Sequence, residues 1–167
     1  MATQARKGYS RLQIGLHWII ALLIGVQFLY HDPMEEAWDA VRDGLAVPAE
    51  LSFGVTVHTV VGVSVLVLAL LRLTARFTRG APALPADEPA PLRLAAGATH
   101  VVLYVLMIAV PLGGLAAWAG GVAPAAGIHG LAANVLFLLV ALHILGALYQ
   151  RFVLKSDVLT RMVVPEK

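Results

Sequence analysis

Four apolar stretches, at residues 12–30, 51–73, 94–118 and 129–150, constrain everything else that this chain can do. Each is near or above the ~20 residues an α-helix needs to cross the hydrocarbon core of a bilayer. In that medium every backbone polar group must find its partner within the protein. Only 13% of the residues are charged and 59% are hydrophobic, whereas an ordinary soluble domain is about 25% charged. The stretches are therefore read as membrane spans, and the expected fold is all-α: an integral membrane four-helix bundle, forming one domain over residues 1–167. The first stretch is read as a retained span. From Leu12 to Tyr30 it is too long for the apolar region of a signal peptide, it carries His17 and Gln27, and no small-residue cleavage site follows.

Charge gives the orientation. Eleven of the twelve basic residues fall in three regions: the N-terminal segment (Arg6, Lys7, Arg11), the second connection and its flanks (Arg72, Arg76, Arg79, Arg93), and the tail (Arg151, Lys155, Arg161, Lys167). In a four-span topology these regions share one side, and the positive-inside rule makes that side cytoplasmic, with both termini inside. The first connection, His31 to Glu50, carries Asp32, Glu35, Glu36, Asp39, Asp43 and Glu50 against Arg42 alone, so it faces outward. Within it Met34, Trp38, Val41 and Leu45 recur at helical spacing and predict a short amphipathic helix.

The second connection, Thr74 to Arg93, is broken by Pro82, Pro85, Pro89 and Pro91. The third, Ala119 to Ile128, is short enough to make the last two spans antiparallel neighbours. Trp18, Tyr30, Trp118 and Tyr149 lie towards span ends, as interfacial anchors do. Pro111 predicts a kink in the third span. The net charge of +2 includes no basic run of the kind that binds nucleic acid, so the lipid bilayer is the expected partner of the surface.

There is no cysteine, which excludes disulfides, thiolate-bound metal, iron–sulfur clusters and covalently attached haem as chemistry of this chain. Histidine remains. His17, His58, His100, His129 and His143 lie in or at the edge of spans, and only His31 lies clearly in a connection. An ionisable side chain inside a membrane is costly and usually faces a functional partner in the bundle interior. By depth, His17 and His143 belong to the inner half, while His58 and His129 belong to the outer half, with His129 opening the fourth span.

His129 and His143 are 14 residues apart, a rise of about 21 Å with a net rotation of only about 40°. Two ligands on one stripe suit two stacked haems better than one mononuclear metal. Gly15, Gly62, Gly130, Ala133 and Gly146 are small residues beside these histidines that could make room for a macrocycle or simply pack helices closely. A zinc or iron transporter would normally want carboxylates in the membrane, and none of the ten acidic residues lies in a span interior.

The segments YSRLQIGLHW, HTVVGVSVLVLALLRLTAR, HVVLYVLMIAVPLGGL and IHGLAANVLFLLVALH, the last followed by VLKSDVLTRM, resemble the bacterial cytochrome b561 family, whose best-known function is as a superoxide oxidase. The match covers nearly the whole chain and keeps the order and spacing of the histidines. The resemblance implies a di-haem protein of the bacterial inner membrane that delivers electrons to ubiquinone. It implies two haem b groups, the inner held by His17 and His143 and the outer by His58 and His129. His100 is left over. It could hydrogen-bond a haem propionate or backbone, serve a quinone site, or replace His143 as the inner ligand. Arg72 and Arg76 could pair with propionates, orient a quinone carbonyl, or serve only topology, and Tyr9, Ser10 and Arg11 stand where a quinone pocket could border the inner haem.

The family's reaction is expected to run from superoxide outside to quinone inside. A positive outer field would favour the encounter with a small anion; here the first outer connection is net negative and the second carries no charge. An acidic outer loop suits docking of a periplasmic or membrane redox partner, such as a dehydrogenase or a cationic cytochrome. A structural membrane subunit without redox chemistry is the alternative from a different class.

Overall fold

The computed structural model describes residues 8–83 and 89–166. Arg6, Lys7, Pro85 and Lys167, which entered the topology reading above, lie outside the described residues. Five α-helices account for most of the described chain: α1 (Arg11–Leu29), α2 (Asp32–Arg42), α3 (Ser52–Arg79), α4 (Ala90–Trp118) and α5 (Ala123–Phe152). Among the described residues there is no strand, and α1, α3 with its preceding 3-10 turn, α4 and α5 are each long and apolar enough to cross a membrane.

Local chemistry sets the helix ends. Ser10 and Gln13 form a reciprocal capping box, the Gln13 N–H donating to Ser10 Oγ and the Ser10 N–H to Gln13 Oε1. Pro33, Pro91 and Pro124 stand in the first turns of α2, α4 and α5, where a missing N–H costs nothing. α3 stops at Gly80, whose φ of 76° is readily adopted only without a Cβ. α2 carries Asp32 and Glu35 in its first turn and Arg42 in its last, each complementing the helix dipole.

The helices outrun the apolar stretches. α3 continues to Arg79 and α5 begins at Ala123, because a helix propagates through the interface until a stop signal such as Gly80 or a proline entry interrupts it. At 28 and 30 residues they span about 42–45 Å, against a hydrocarbon core of about 30 Å. His129 therefore sits in the second turn of α5 and does not open it. α4 remains helical through Pro111.

Side-chain hydrogen bonds make α1 and α3 antiparallel. Gln13 Nε2 donates to the Gly80 carbonyl (2.9 Å) at one end, and Gln27 Nε2 donates to the His58 carbonyl (2.9 Å) at the other. α3 packs on α4 and α4 on α5. The shared core is Ile20 and Ile24 of α1, Val65 and Ala69 of α3, Leu103, Met107 and Val110 of α4, and Leu136 of α5. Phe28 and Phe137, with ring centroids 4.4 Å apart, join α1 to α5. The outward faces are apolar: Leu22, Leu131 and Leu145 are more than 60% exposed. Such a surface would be a large aggregation patch in water and is the expected one against lipid tails.

The bundle has a basic end, with the start of α1, the end of α3, the start of α4 and the end of α5, and an acidic end covered by α2. Residues 153–166 fold back over the basic end. Trp18 Nε1 donates to the Met162 carbonyl (2.8 Å), and Arg161 pairs with Asp157 (2.8 Å) and donates to the Ala83 carbonyl (2.7 Å). The Glu166 N–H donates to the Tyr9 carbonyl (3.0 Å). The indole N–H of Trp18 thus bonds to the tail.

At the acidic end, α2 docks on α3 with Ala37 fully buried. A Cβ at Gly54 would overlap the Pro33 ring. Gly54→Ala is expected to push α2 off α3 and destabilise the fold by about 1–3 kcal/mol, the usual range for overpacking. The check is faster proteolysis of the 31–51 segment in membranes, with unchanged cleavage arguing against this contact.

Candidate functional site

Four helical histidines meet in two cross-helix pairs, one at each end of the bundle. At the basic end His17 of α1 faces His143 of α5, with ring centroids 6.1 Å apart and planes at 72°. At the acidic end His58 of α3 faces His129 of α5, at 6.2 Å and 73°. All four are half-buried. α5 supplies one member to each pair because positions 129 and 143 share a helical stripe. His31 stands apart: it is exposed at the junction of α1 and α2, its Nδ1 is 3.1 Å from the Phe28 carbonyl, and its Nε2 lies near Asp32 and Glu35.

The donor set fits a haem better than a bare ion. Among the described residues no group of three or more histidines or carboxylates is arranged to hold a metal; each facing pair offers two imidazoles, and a porphyrin supplies the remaining nitrogens itself. With imidazole–metal bonds of about 2 Å on either side, two axial rings have centroids roughly 6 Å apart, the separation found in both pairs. The His129 Nδ1 lies 2.8 Å from the Val110 carbonyl. A carbonyl only accepts, so Nδ1 carries the proton and Nε2 keeps its lone pair for a metal. A Cβ at Gly15, Gly130 or Gly146 would meet nothing within 4 Å, leaving those faces open to a flat group. His58 Nδ1 is buried without a hydrogen-bond partner; this is costly for a purely structural histidine.

Other sequence candidates are placed differently. Gly62 is occupied by packing, since a Cβ there would lie 2.9 Å from Gln27 Nε2. Ala133 packs against the shared core. His100 of α4 joins the basic-end pair, its ring 5.2 Å from His143, closer than two ligands of one iron stand. Arg72 donates to the Gln13 carbonyl (2.6 Å) and interacts electrostatically with His17 and His143. Arg72 and Arg76 line one cleft with Tyr9, Gln13 and Tyr104. Ser10 is consumed in capping α1, and Arg11 is exposed.

Three contributors escaped the sequence reading. Gly113 and Gly114 of α4 seat the His129 ring: a Cβ at Gly114 would lie 3.0 Å from His129 Cε1, and one at Gly113 would lie 3.7 Å from His129 Cβ. Gln27 holds the backbone of His58. The Pro-Leu-Gly-Gly run at 111–114 was the available signal, since paired glycines in an apolar helix mark a close approach.

Comparison with known proteins extends the match to the full length of the helical bundle. The sequence model of a family described as "Prokaryotic cytochrome b561" matches residues 8–165. The chain is 45% identical over 161 residues to a protein named cytochrome b562 from Cereibacter sphaeroides, covering 95% of this chain and 96% of that one. It is 30% identical over 186 residues to the probable superoxide oxidase CybB of Yersinia pestis, covering 96% and 98%. Cytochrome b561 homolog 1 of Escherichia coli is 27% identical over 181 residues, covering 95% and 98%.

Proposed function

Because this chain belongs to the prokaryotic cytochrome b561 family of membrane haem b electron-transfer proteins, we propose that it carries two b haems and passes electrons from an outer donor to quinone. The proposal assigns one haem to His58 and His129 and the other to His17 and His143. The observation that carries it is the equal spacing of the two pairs, 6.2 and 6.1 Å, on different helices at opposite ends. The basic end is taken as cytoplasmic under the positive-inside rule, in the bacterial inner membrane.

When bound, the haems supply reversible one-electron chemistry, and their potentials follow axial ligation, hydrogen bonding and burial. The chain's own residues do the positioning. Val110 fixes the tautomer of His129 through its carbonyl, Gly113 and Gly114 set the ring's seat, and Gln27 anchors the His58 backbone. At the inner level Arg72, tied to α1 through the Gln13 carbonyl, provides positive charge for a haem carboxylate beside His17 and His143. His100 is assigned to support of this level, since its ring stands against His143. The exposed apolar faces keep water from the bundle interior in lipid.

For the donor, the likeness to a protein named probable superoxide oxidase supports superoxide oxidation. A second reading is supported by α2, where Asp32, Glu35, Asp39 and Asp43 are exposed and Arg42 is already paired with Asp39 and Asp43. That surface suits a cationic redox protein.

The test is the reduced-minus-oxidised spectrum and haem content of the purified protein, followed by reduction with superoxide in the presence of a soluble ubiquinone. Two haems per chain, reduced by superoxide and reoxidised by quinone, are expected. Two haems indifferent to superoxide but reduced by a basic cytochrome, with a rate that falls as salt screens the contact, would replace superoxide by a docked partner. Absence of haem would sink both.

A further inference from the structure

The lipid-facing side of α5 has a repeat that packing within the chain does not use. Leu131, Leu138 and Leu145 recur every seven residues, and Gly127, Asn134 and Ala141 recur every seven residues between them. The intervals alternate between four and three residues, which is the spacing of a seam between two supercoiled helices. Leu131, Leu138 and Leu145 are 68%, 58% and 61% exposed, so no other part of the chain covers this seam.

The seam points away from the bundle. α5 contributes one buried residue, Leu136, where α1, α3 and α4 contribute four each. His129 and His143 stand seven residues either side of Leu136, within about 20° of it round the helix, whereas Asn134 lies about 160° from it. A contact made along the seam therefore leaves both histidine pairs untouched.

Asn134 is the chain's one asparagine. It is exposed and lies about 5 Å along the axis from the midpoint of α5, deep in the hydrocarbon region. Among the described residues it has no hydrogen-bond partner. Polar side chains elsewhere in the spans are treated differently. The hydroxyls of Thr56, Thr59 and Ser64 each donate to a carbonyl one turn back, and the amides of Gln13 and Gln27 donate to carbonyls of the Gly80 end and of His58. Lipid tails suit the leucines beside Asn134 but leave its amide unsatisfied, which is costly in a medium without water.

We propose that this face of α5 is the contact between two copies of the chain lying side by side in one membrane, with their Asn134 amides hydrogen-bonded to each other. An amide carries both donors and an acceptor, so two of them satisfy one another across a twofold axis, where the same patch meets itself. Copies inserted in the same direction present Asn134 at the same depth, whereas a different protein would need a polar group of its own at that level. Gly127 and Ala141 let the two backbones approach, and a Cβ at Gly127 would meet nothing within 4 Å of its own chain. The seam from Gly127 to Leu145 rises about 27 Å, most of the roughly 30 Å hydrocarbon core. Its period gives a left-handed crossing of about 20°, and one polar residue within it fixes the register.

The chain has no cysteine, so single introduced cysteines report contacts directly. The full-length chain carrying Leu138→Cys or Ala141→Cys is oxidised in its own membranes, where a disulfide requires Cβ atoms about 4 Å apart. Adducts of twice the chain's mass are expected from these two. They are not expected from Leu22→Cys on α1 or Val67→Cys on α3, which are 68% and 50% exposed. Asn134→Leu keeps the apolar seam and removes the amide. Energy transfer between donor- and acceptor-labelled chains diluted in lipid should then show association weakened by about 3- to 20-fold, the range for one interhelical hydrogen bond, with the absorption spectrum unchanged. Equal cross-linking from all four positions would mean chance encounters and overturn the dimer. So would the absence of adducts, or an adduct of any other mass, which would give the face to a different protein. Unchanged association of Asn134→Leu would overturn the amide pairing.

Discussion

Replacing His129 with alanine is expected to reduce haem content from the proposed two groups per chain to one and to cut the proposed electron delivery from an outer donor to quinone by on the order of 100-fold or more. The magnitude follows from losing an axial ligand outright, since loss of a group that merely orients a ligand typically costs 10–100-fold in affinity or activity. The basic-end pair of His17 and His143 is untouched by the change, so the remaining spectrum should be that of a single bis-histidine haem. His143→Ala should leave the complementary spectrum, because the two histidines lie on one helix about 21 Å apart and each faces a different partner. Neither variant should lose membrane insertion, as four long apolar helices remain. If His129→Ala and His143→Ala each kept both haems, the pairing proposed here would be wrong, and if the chain bound none to begin with, a structural role would follow.

The second large effect requires no change to any side chain proposed to hold a haem. The His129 ring rests on Gly114, where a Cβ would stand 3.0 Å from Cε1, 3.1 Å from Nδ1 and 3.7 Å from Nε2. Alanine at this position forces the ring to yield by a few tenths of an ångström. Valine adds two methyl groups in the same space and should drive the ring off its 2.8 Å hydrogen bond to the Val110 carbonyl. Gly114→Ala is expected to retain two haems with a shifted acidic-end spectrum. Gly114→Val should reproduce His129→Ala, keeping the basic-end haem alone. Wild-type spectra in Gly114→Val would show that the close approach of α4 to His129 is unimportant for ligation.

The histidine stripe on α5 was legible, because the 14-residue separation of His129 and His143 is a property of helix geometry alone. The amphipathic α2 was legible for the same reason, from the recurrence of Met34, Trp38, Val41 and Leu45. The seat of His129 was not. Gly113 and Gly114 lie on another helix, and a small residue signals only that something comes near, not which side chain it is. Gly62 illustrates the converse: beside His58 in sequence, it accommodates Gln27. Tyr9 was within reach as a cleft residue, whereas Tyr104 and Gln13 were not, since their meeting depends on how α4 and α1 stand around α3.

Hydropathy, charge bias and helical periodicity are local sums along the chain, and by themselves they determined four spans, the sidedness expected of them and the two levels at which histidines could act. Where His100 stands, which glycines seat the His129 ring, and which carbonyl holds its proton were decided only by tertiary packing. The physical reason is that a lipid-embedded helix gains little from one rotation over another in the bilayer alone. Contacts such as Gln13 with Gly80 and Gln27 with His58 between α1 and α3, and His129 with Val110 between α5 and α4, fix the rotation and register of these spans against their neighbours.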